Sequence, residues 1–122
     1  MDRADVDRWL DAYVAAWRSN ERSQIEALFT EDARYRYHPW DEPIVGAAAI
    51  ADAWLEDQDD PARWEASYEC YAADGSAAVA VGSSTYLDAG GAVEKVYDNA
   101  YVLRFAADGR CSEFTEWFMK RP

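Results

Sequence analysis

At 122 residues the chain can build one hydrophobic core but not two, and the whole of 1–122 is expected to form a single domain. Its 24 acidic and 12 basic residues leave a formal net charge of −12, which repels the phosphate backbone of nucleic acids and disfavours anionic membranes. No apolar run approaches the ~20 residues of a membrane span. The N-terminal Met1-Asp-Arg-Ala-Asp5 lacks the basic and apolar regions of a signal peptide, so the expected compartment is the cytoplasm.

Cys70 and Cys111 lie in strand-like segments without redox or metal spacing and read as buried thiols. One histidine and no clustered ligand spacing argue against a transition-metal site, and no glycine-rich phosphate loop is present, so no cofactor is expected. Six Trp and eight Tyr exceed what a small core needs, which suggests that some rings line a cavity or an interface.

Val6, Trp9, Leu10, Tyr13, Val14 and Trp17 recur at i, i+3, i+4, i+7, i+8 and i+11, one unbroken helical face over about residues 4–19. Asp2 and Asp5 supply its capping side chain and N-terminal negative charge. Asn20 can cap a short second helix whose inner face is Ile25, Leu28 and Phe29. Ala33–His38 alternates, with Tyr35 and Tyr37 on one side and Arg34 and Arg36 on the other, and Pro39 and Pro43 close that strand into a loop. After Gly46 a helix over Ala47–Leu55 places Ile50 and Trp54 on one face, and the acidic stretch Glu56–Asp60 reads as its solvated, frayed end.

Four extended segments follow. Trp64–Ala72 alternates, and Ser76–Leu87 is small or β-branched with Gly82 suggesting a bulge. Asp88-Ala-Gly-Gly91 turns the chain into Val93–Phe105, and Ala107-Asp-Gly109 turns it into Arg110–Lys120. This order predicts an α+β fold: a cone-shaped barrel with N-terminal helices packed in a strongly curved, mostly antiparallel sheet.

The chain resembles the nuclear transport factor 2-like superfamily, closest to its SnoaL-like and ketosteroid-isomerase-like members. The resemblance rests on Tyr13-Val-Ala-Ala-Trp17, Leu28-Phe29-x-x-Asp32-Ala33, Gly46-x-x-Ala49-Ile50 and Leu103-Arg-Phe-x-x-Asp-Gly109, followed by a strand with Glu116. It implies a cavity between sheet and first helix, used in the superfamily for isomerase, cyclase, dehydratase or hydrolase chemistry, or for binding alone. Carried over by position, Tyr13 matches a helix-one tyrosine, His38 or Tyr37 stands where a carboxylate base precedes the loop proline, and Tyr101 replaces a protonated aspartate. That excludes steroid isomerisation by the same apparatus.

The expected catalytic set is therefore His38, Tyr13, Tyr101 and Glu116, with Trp17, Tyr37, Trp54, Asn99 and Phe118 contacting a substrate. An imidazole accepts a proton at neutral pH, and two hydroxyls can steady negative charge on an oxygen. Glu116 or Asp41 could orient His38. The expected function is a cofactor-independent isomerase, cyclase or dehydratase acting on a small apolar or aromatic ligand; the alternative is a non-catalytic binding or dimeric structural module. A homodimer is expected through an uncovered outer sheet face carrying Tyr86 and Trp117.

Overall fold

The computed structural model describes residues 1–122. Its elements are α1 (Arg3–Ser19), α2 (Arg22–Ala27), β1 (Phe29–Arg36), β2 (Ile44–Val45), α3 (Ala47–Glu56), a single 3-10 turn (Pro61–Arg63), β3 (Trp64–Asp74), β4 (Ala77–Leu87), β5 (Val93–Phe105) and β6 (Cys111–Lys120). The six strands form one curved sheet in the order β2-β1-β6-β5-β4-β3. Only β1 and β6 run parallel; the other neighbours are antiparallel. The two edges, β2 and β3, do not pair, so the sheet stays open rather than closing into a barrel.

Helix α1 starts on a reciprocal cap, in which the Asp2 carboxylate accepts from the Asp5 amide at 2.8 Å and the Asp5 carboxylate accepts from the Asp2 amide at 3.1 Å. Its buried stripe of Val6, Trp9, Leu10, Tyr13 and Ala16 lies on the inner face of the sheet. Asn20 does not cap the second helix. It ends the first, in the left-handed region at φ 55°, and its amide donates to the Ala16 carbonyl. α2 begins after Glu21 with no side-chain cap, so a short amide side chain was a stronger stop than start.

Phe114 is the hub of the core and is fully buried. Its ring stacks on Tyr35 at 4.4 Å between centroids and on Tyr13 at 5.6 Å, and lies 4.8 Å from Tyr101. Burying one such side chain contributes about 1.5–3 kcal/mol, and aromatic pairing adds to it. The Trp9 indole N–H donates to the Leu28 carbonyl at 3.0 Å, which ties α1 to the start of β1. β1 begins four residues earlier than the alternation indicated, because Phe29 pairs with Cys111 before the register shifts between Phe29 and Arg34. Cys70 on β3 and Cys111 on β6 are buried free thiols separated by two strands, too far apart in the sheet to bond.

Tyr86 faces the inner side of the sheet, not the outer face assigned to it from sequence, because the inner positions of β4 are the even-numbered ones: Ala78, Ala80, Ser84 and Tyr86. Trp117 does lie exposed, with Val102 and Met119. Gly82 forms no bulge either. It pairs in register with Tyr68 and Asn99, and the irregularities fall between Cys70 and Ala72 and between Tyr86 and Leu87. Its need for glycine is steric: a Cβ there would sit 2.0 Å from the Ser67 carbonyl oxygen and 2.5 Å from Cδ1 of Tyr68. Gly82→Ala is therefore expected to lower stability by about 1–3 kcal/mol, read as a fall in the urea midpoint; an unchanged midpoint would contradict this packing.

Candidate functional site

The strands outrun the helix that covers them. Val6, Trp9, Leu10 and Tyr13 fill the inner face over Leu103, Phe105, Cys111 and Phe114. Beyond Tyr13 the side chain of Trp17 turns aside to stack on Trp64, with ring centroids 3.6 Å apart. The face carrying Ser84, Tyr97, Asn99, Glu116 and Phe118 is left uncovered. A pocket of about 440 Å³ opens there, bounded across from the sheet by Trp54 and Ala53 of α3, by the 57–59 loop and by the Tyr37–His38 corner. Aromatic rings form much of its wall.

A polar strip crosses the pocket floor on three neighbouring strands. The Ser84 hydroxyl on β4 donates to Oδ1 of Asn99 on β5 at 3.1 Å, and Nδ2 of Asn99 donates to Oε2 of Glu116 on β6 at 2.8 Å. Ser84 thus fixes which end of the Asn99 amide faces the carboxylate. No Arg or Lys pairs with Glu116. Burial raises its pKa from 4.5 to about 7, against the lowering effects of the Asn99 hydrogen bond and of His38. The carboxyl therefore exchanges its proton near neutrality, which is the range useful for acid–base work.

Tyrosines surround this carboxyl. Burial pushes the hydroxyls of Tyr13, Tyr35 and Tyr101 well above the usual tyrosine range and that of Tyr68 up to about 12. They remain protonated at neutral pH and can act as hydrogen-bond donors. Tyr13 stands 5.7 Å from Tyr101 and 6.1 Å from Tyr68 between ring centroids, and Tyr68 lies 4.9 Å from Tyr101.

His38 sits at the mouth, in the loop after β1. Its Nδ1 lies 2.9 Å from Oδ2 of Asp41, and the same oxygen accepts from the His38 backbone amide at 3.1 Å. The two alternatives for orienting His38 thus resolve to Asp41, three residues away, rather than Glu116. With Nδ1 held by a carboxylate, Nε2 is the ring nitrogen left to meet a ligand. The ring also stacks on Trp40 at 4.9 Å and approaches Phe118 at 5.3 Å.

All nine residues singled out from sequence line this one pocket: Tyr13, Trp17, Tyr37, His38, Trp54, Asn99, Tyr101, Glu116 and Phe118. Sequence reasoning missed Tyr68, Ser84, Lys95 and Tyr97 as pocket residues and placed Tyr86 outside; Lys95 and Tyr97 share the parity of Asn99 and Tyr101 on β5, whereas β3 and β4 held no identified residue from which parity could be counted. The acidic stretch after α3 is solvated, as expected, and it also reaches the pocket rim. The helix ends at Glu56 and the chain folds back, so Asp57 and Asp59 border the pocket, where Asp59 accepts from the Trp17 indole at 3.2 Å.

An open curved sheet with helices on one face and a pocket past the first helix defines a nuclear transport factor 2-like protein. The sequence profile of the SnoaL-like domain matches residues 10–114, and the chain belongs to that family. Similar solved structures include an LEH-like epoxide hydrolase of M. tuberculosis, with 16% identity and a TM-score of 0.68 over 96% of this chain and 84% of that one. An NTF-2 like protein of unknown function from Burkholderia xenovorans LB400 gives 16% identity and a TM-score of 0.71 over 98% and 88%. A ketosteroid isomerase-like protein from Erwinia carotovora atroseptica SCRI1043 gives 19% identity and a TM-score of 0.64 over 98% and 97%. No curated protein matches the chain.

The raised Glu116 pKa carries a stability consequence with a definite sign. Between the ordinary value of 4.5 and about 7 the folded chain holds a proton that the unfolded chain has lost. Stability from this group is therefore present below that window and falls as pH rises through it, by about 3 kcal/mol in total for a shift of this size. Relative to Glu116→Gln, the natural chain should lose roughly that amount between pH 4.5 and 8 in urea denaturation. Parallel pH curves for the two proteins would contradict the placement of Glu116.

Proposed function

We propose that the protein is a cofactor-independent acid–base catalyst, an isomerase, cyclase or dehydratase, acting on a small and largely apolar molecule. The observation that carries this reading is the half-buried Glu116 carboxyl on the pocket floor, bonded to the Asn99 amide with no Arg or Lys beside it, an enclosure that raises its pKa to about 7. In an isomerisation, His38 Nε2 takes a proton from a carbon next to a substrate carbonyl, and the electron pair moves towards that oxygen. Tyr13 and Tyr101 donate hydrogen bonds to the developing negative charge. The proton returns from His38 to a different carbon, which restores the neutral imidazole, and nothing is oxidised or reduced. Asp41 holds the imidazole in the tautomer that leaves Nε2 free to accept.

The rival is a binding module, in which the same rings hold a ligand without chemistry. One observation favours it: the His38 side chain is 38% exposed at the mouth, where water competes for its ring.

His38→Ala is expected to lower turnover by roughly 10²- to 10⁴-fold while ligand binding survives, and Tyr13→Phe to lower it less. The assay screens small cyclic ketones and hydroxy ketones for proton exchange or rearrangement. Turnover untouched by His38→Ala would transfer the assignment to the binding module.

The outer sheet face exposes Val102, Trp117 and Met119. We propose that it pairs two copies of the chain, since contiguous apolar surface of this kind marks association. Light scattering should give twice the chain mass at micromolar concentration, and Trp117→Glu should return it to the monomer mass. A monomer in the natural chain would remove this part of the reading.

A further inference from the structure

The charge and ring arrangement of the pocket identify the kind of molecule that fits it, an inference that rests on the pocket being a ligand site. Its acidic groups are Glu116 on the floor and Asp57 and Asp59 at the rim; its basic groups are Lys95, also at the rim, and the His38 imidazole at the mouth, which Asp41 already holds. No basic side chain pairs with the floor carboxylate, whose only direct partner is the Asn99 amide. An anion entering here would meet a carboxylate at each end, and the net charge of −12 would oppose its approach.

The rings themselves favour a cation. The electron-rich faces of Tyr and Trp attract ammonium groups, most strongly where water is excluded. The chain already uses this affinity: Lys95 Nζ rests 5.1 Å from the Tyr86 ring centroid and 5.6 Å from that of Tyr97. Deeper in, Tyr13, Tyr68 and Tyr101 pack ring against ring and border the pocket near Glu116, and no lysine or arginine lies over them.

We propose that the ligand is a small organic cation, an apolar or aromatic body carrying one amino group, with its ammonium directed at Glu116 and its body lying against the aromatic wall that includes Tyr68, Tyr97 and Trp54. The ammonium supplies the countercharge that the floor carboxylate lacks and donates hydrogen bonds to the oxygen that Asn99 does not hold. Lys95, tethered at the rim over Tyr86 and Tyr97, leaves the floor position free. A neutral molecule of the same shape gains the apolar contacts but not the charge pairing, and an anion sets those same contacts against repulsion from the carboxylates.

The test uses three soluble probes of similar shape and different charge: 2-phenylethylamine, 2-phenylethanol and phenylacetate, each titrated calorimetrically into the full chain at neutral pH. The amine is expected to bind at least tenfold more tightly than the alcohol, with phenylacetate weakest. In Glu116→Gln the amine preference over the alcohol should shrink to about twofold while the alcohol affinity is kept, which also shows that the pocket is intact. Asp59→Asn should reduce the amine affinity by a smaller factor than Glu116→Gln. Equal or tighter binding of the alcohol or of phenylacetate, an amine preference undiminished in Glu116→Gln, or no binding of any probe at 10 mM would each overturn the proposal. The readout is affinity, so amine binding without any detectable turnover would retain the cation site and reject catalysis. Neutral-ligand turnover without an amine preference would do the reverse.

Discussion

A mismatch in length shapes the whole molecule. At 13 residues β5 would extend about 43 Å if flat, whereas the 17 residues of α1 span only about 25 Å. One helix cannot cover the inner face of such a sheet from end to end. The covered half becomes the core, organised on Phe114, and the uncovered half becomes a pocket whose open side is closed off by α3 and two loops. The same strands therefore supply both stability and site, in alternating inner positions: Leu103 and Phe105 for one, Asn99 and Tyr97 for the other. Gly82 belongs to this constraint, since its missing Cβ lets β3 and its Tyr68 ring approach β4 at the junction of the two halves.

At that junction the protein keeps a group that works against its stability. A leucine at position 116 would avoid burying a carboxyl among rings. Glu116 instead faces desolvation that one hydrogen bond from Asn99 offsets only in part, and its proton is consequently retained to about pH 7. Ser84 extends the arrangement by one bond, so a carboxyl, an amide and a hydroxyl on three strands hold one another in fixed orientation. Sites where local stability is sacrificed in a hydrogen-bonded, enclosed place are where chemistry or recognition is expected. The His38–Asp41 pair at the mouth is the second ionisable unit, and it is built locally, by a tight turn that brings residues three apart within hydrogen-bond reach.

Much of this was legible in the sequence, for reasons that differ by residue. The α1 stripe was readable because a helix of one apolar face has a 3.6-residue period, and Asn99 because strand parity puts it on the face of Tyr97 and Tyr101; Tyr101 and Glu116 themselves came from the family resemblance. The family motifs located the turn at Gly46 and the hairpin at Asp108-Gly109. Parity alone does not say which face is inner, and so Tyr86 was placed outside although it shares a face with Ser84. Gly82 was misassigned because the crowding that requires a glycine comes from Ser67 and Tyr68, partners known only once the register is known. The acidic residues after α3 read as solvated and are exposed; that Asp57 and Asp59 also border a pocket depends on long-range packing that no local pattern shows. Lys95 and Tyr97 were within reach of the parity that gave Asn99, whereas Tyr68 was not, because which face of β3 is inner is known only from the register of the sheet.

The central claim is that Glu116 is an enclosed carboxyl without a basic partner, held by Asn99 and ready to exchange a proton at neutral pH. Its most direct test is to follow the side-chain carboxyl carbon of Glu116 by ¹³C NMR as a function of pH, with Glu116→Gln assigning the signal. The account predicts a titration midpoint near 7, well separated from the exposed glutamates. A midpoint at the ordinary 4.5 would place the carboxylate in solvent or beside a cation, and would contradict it.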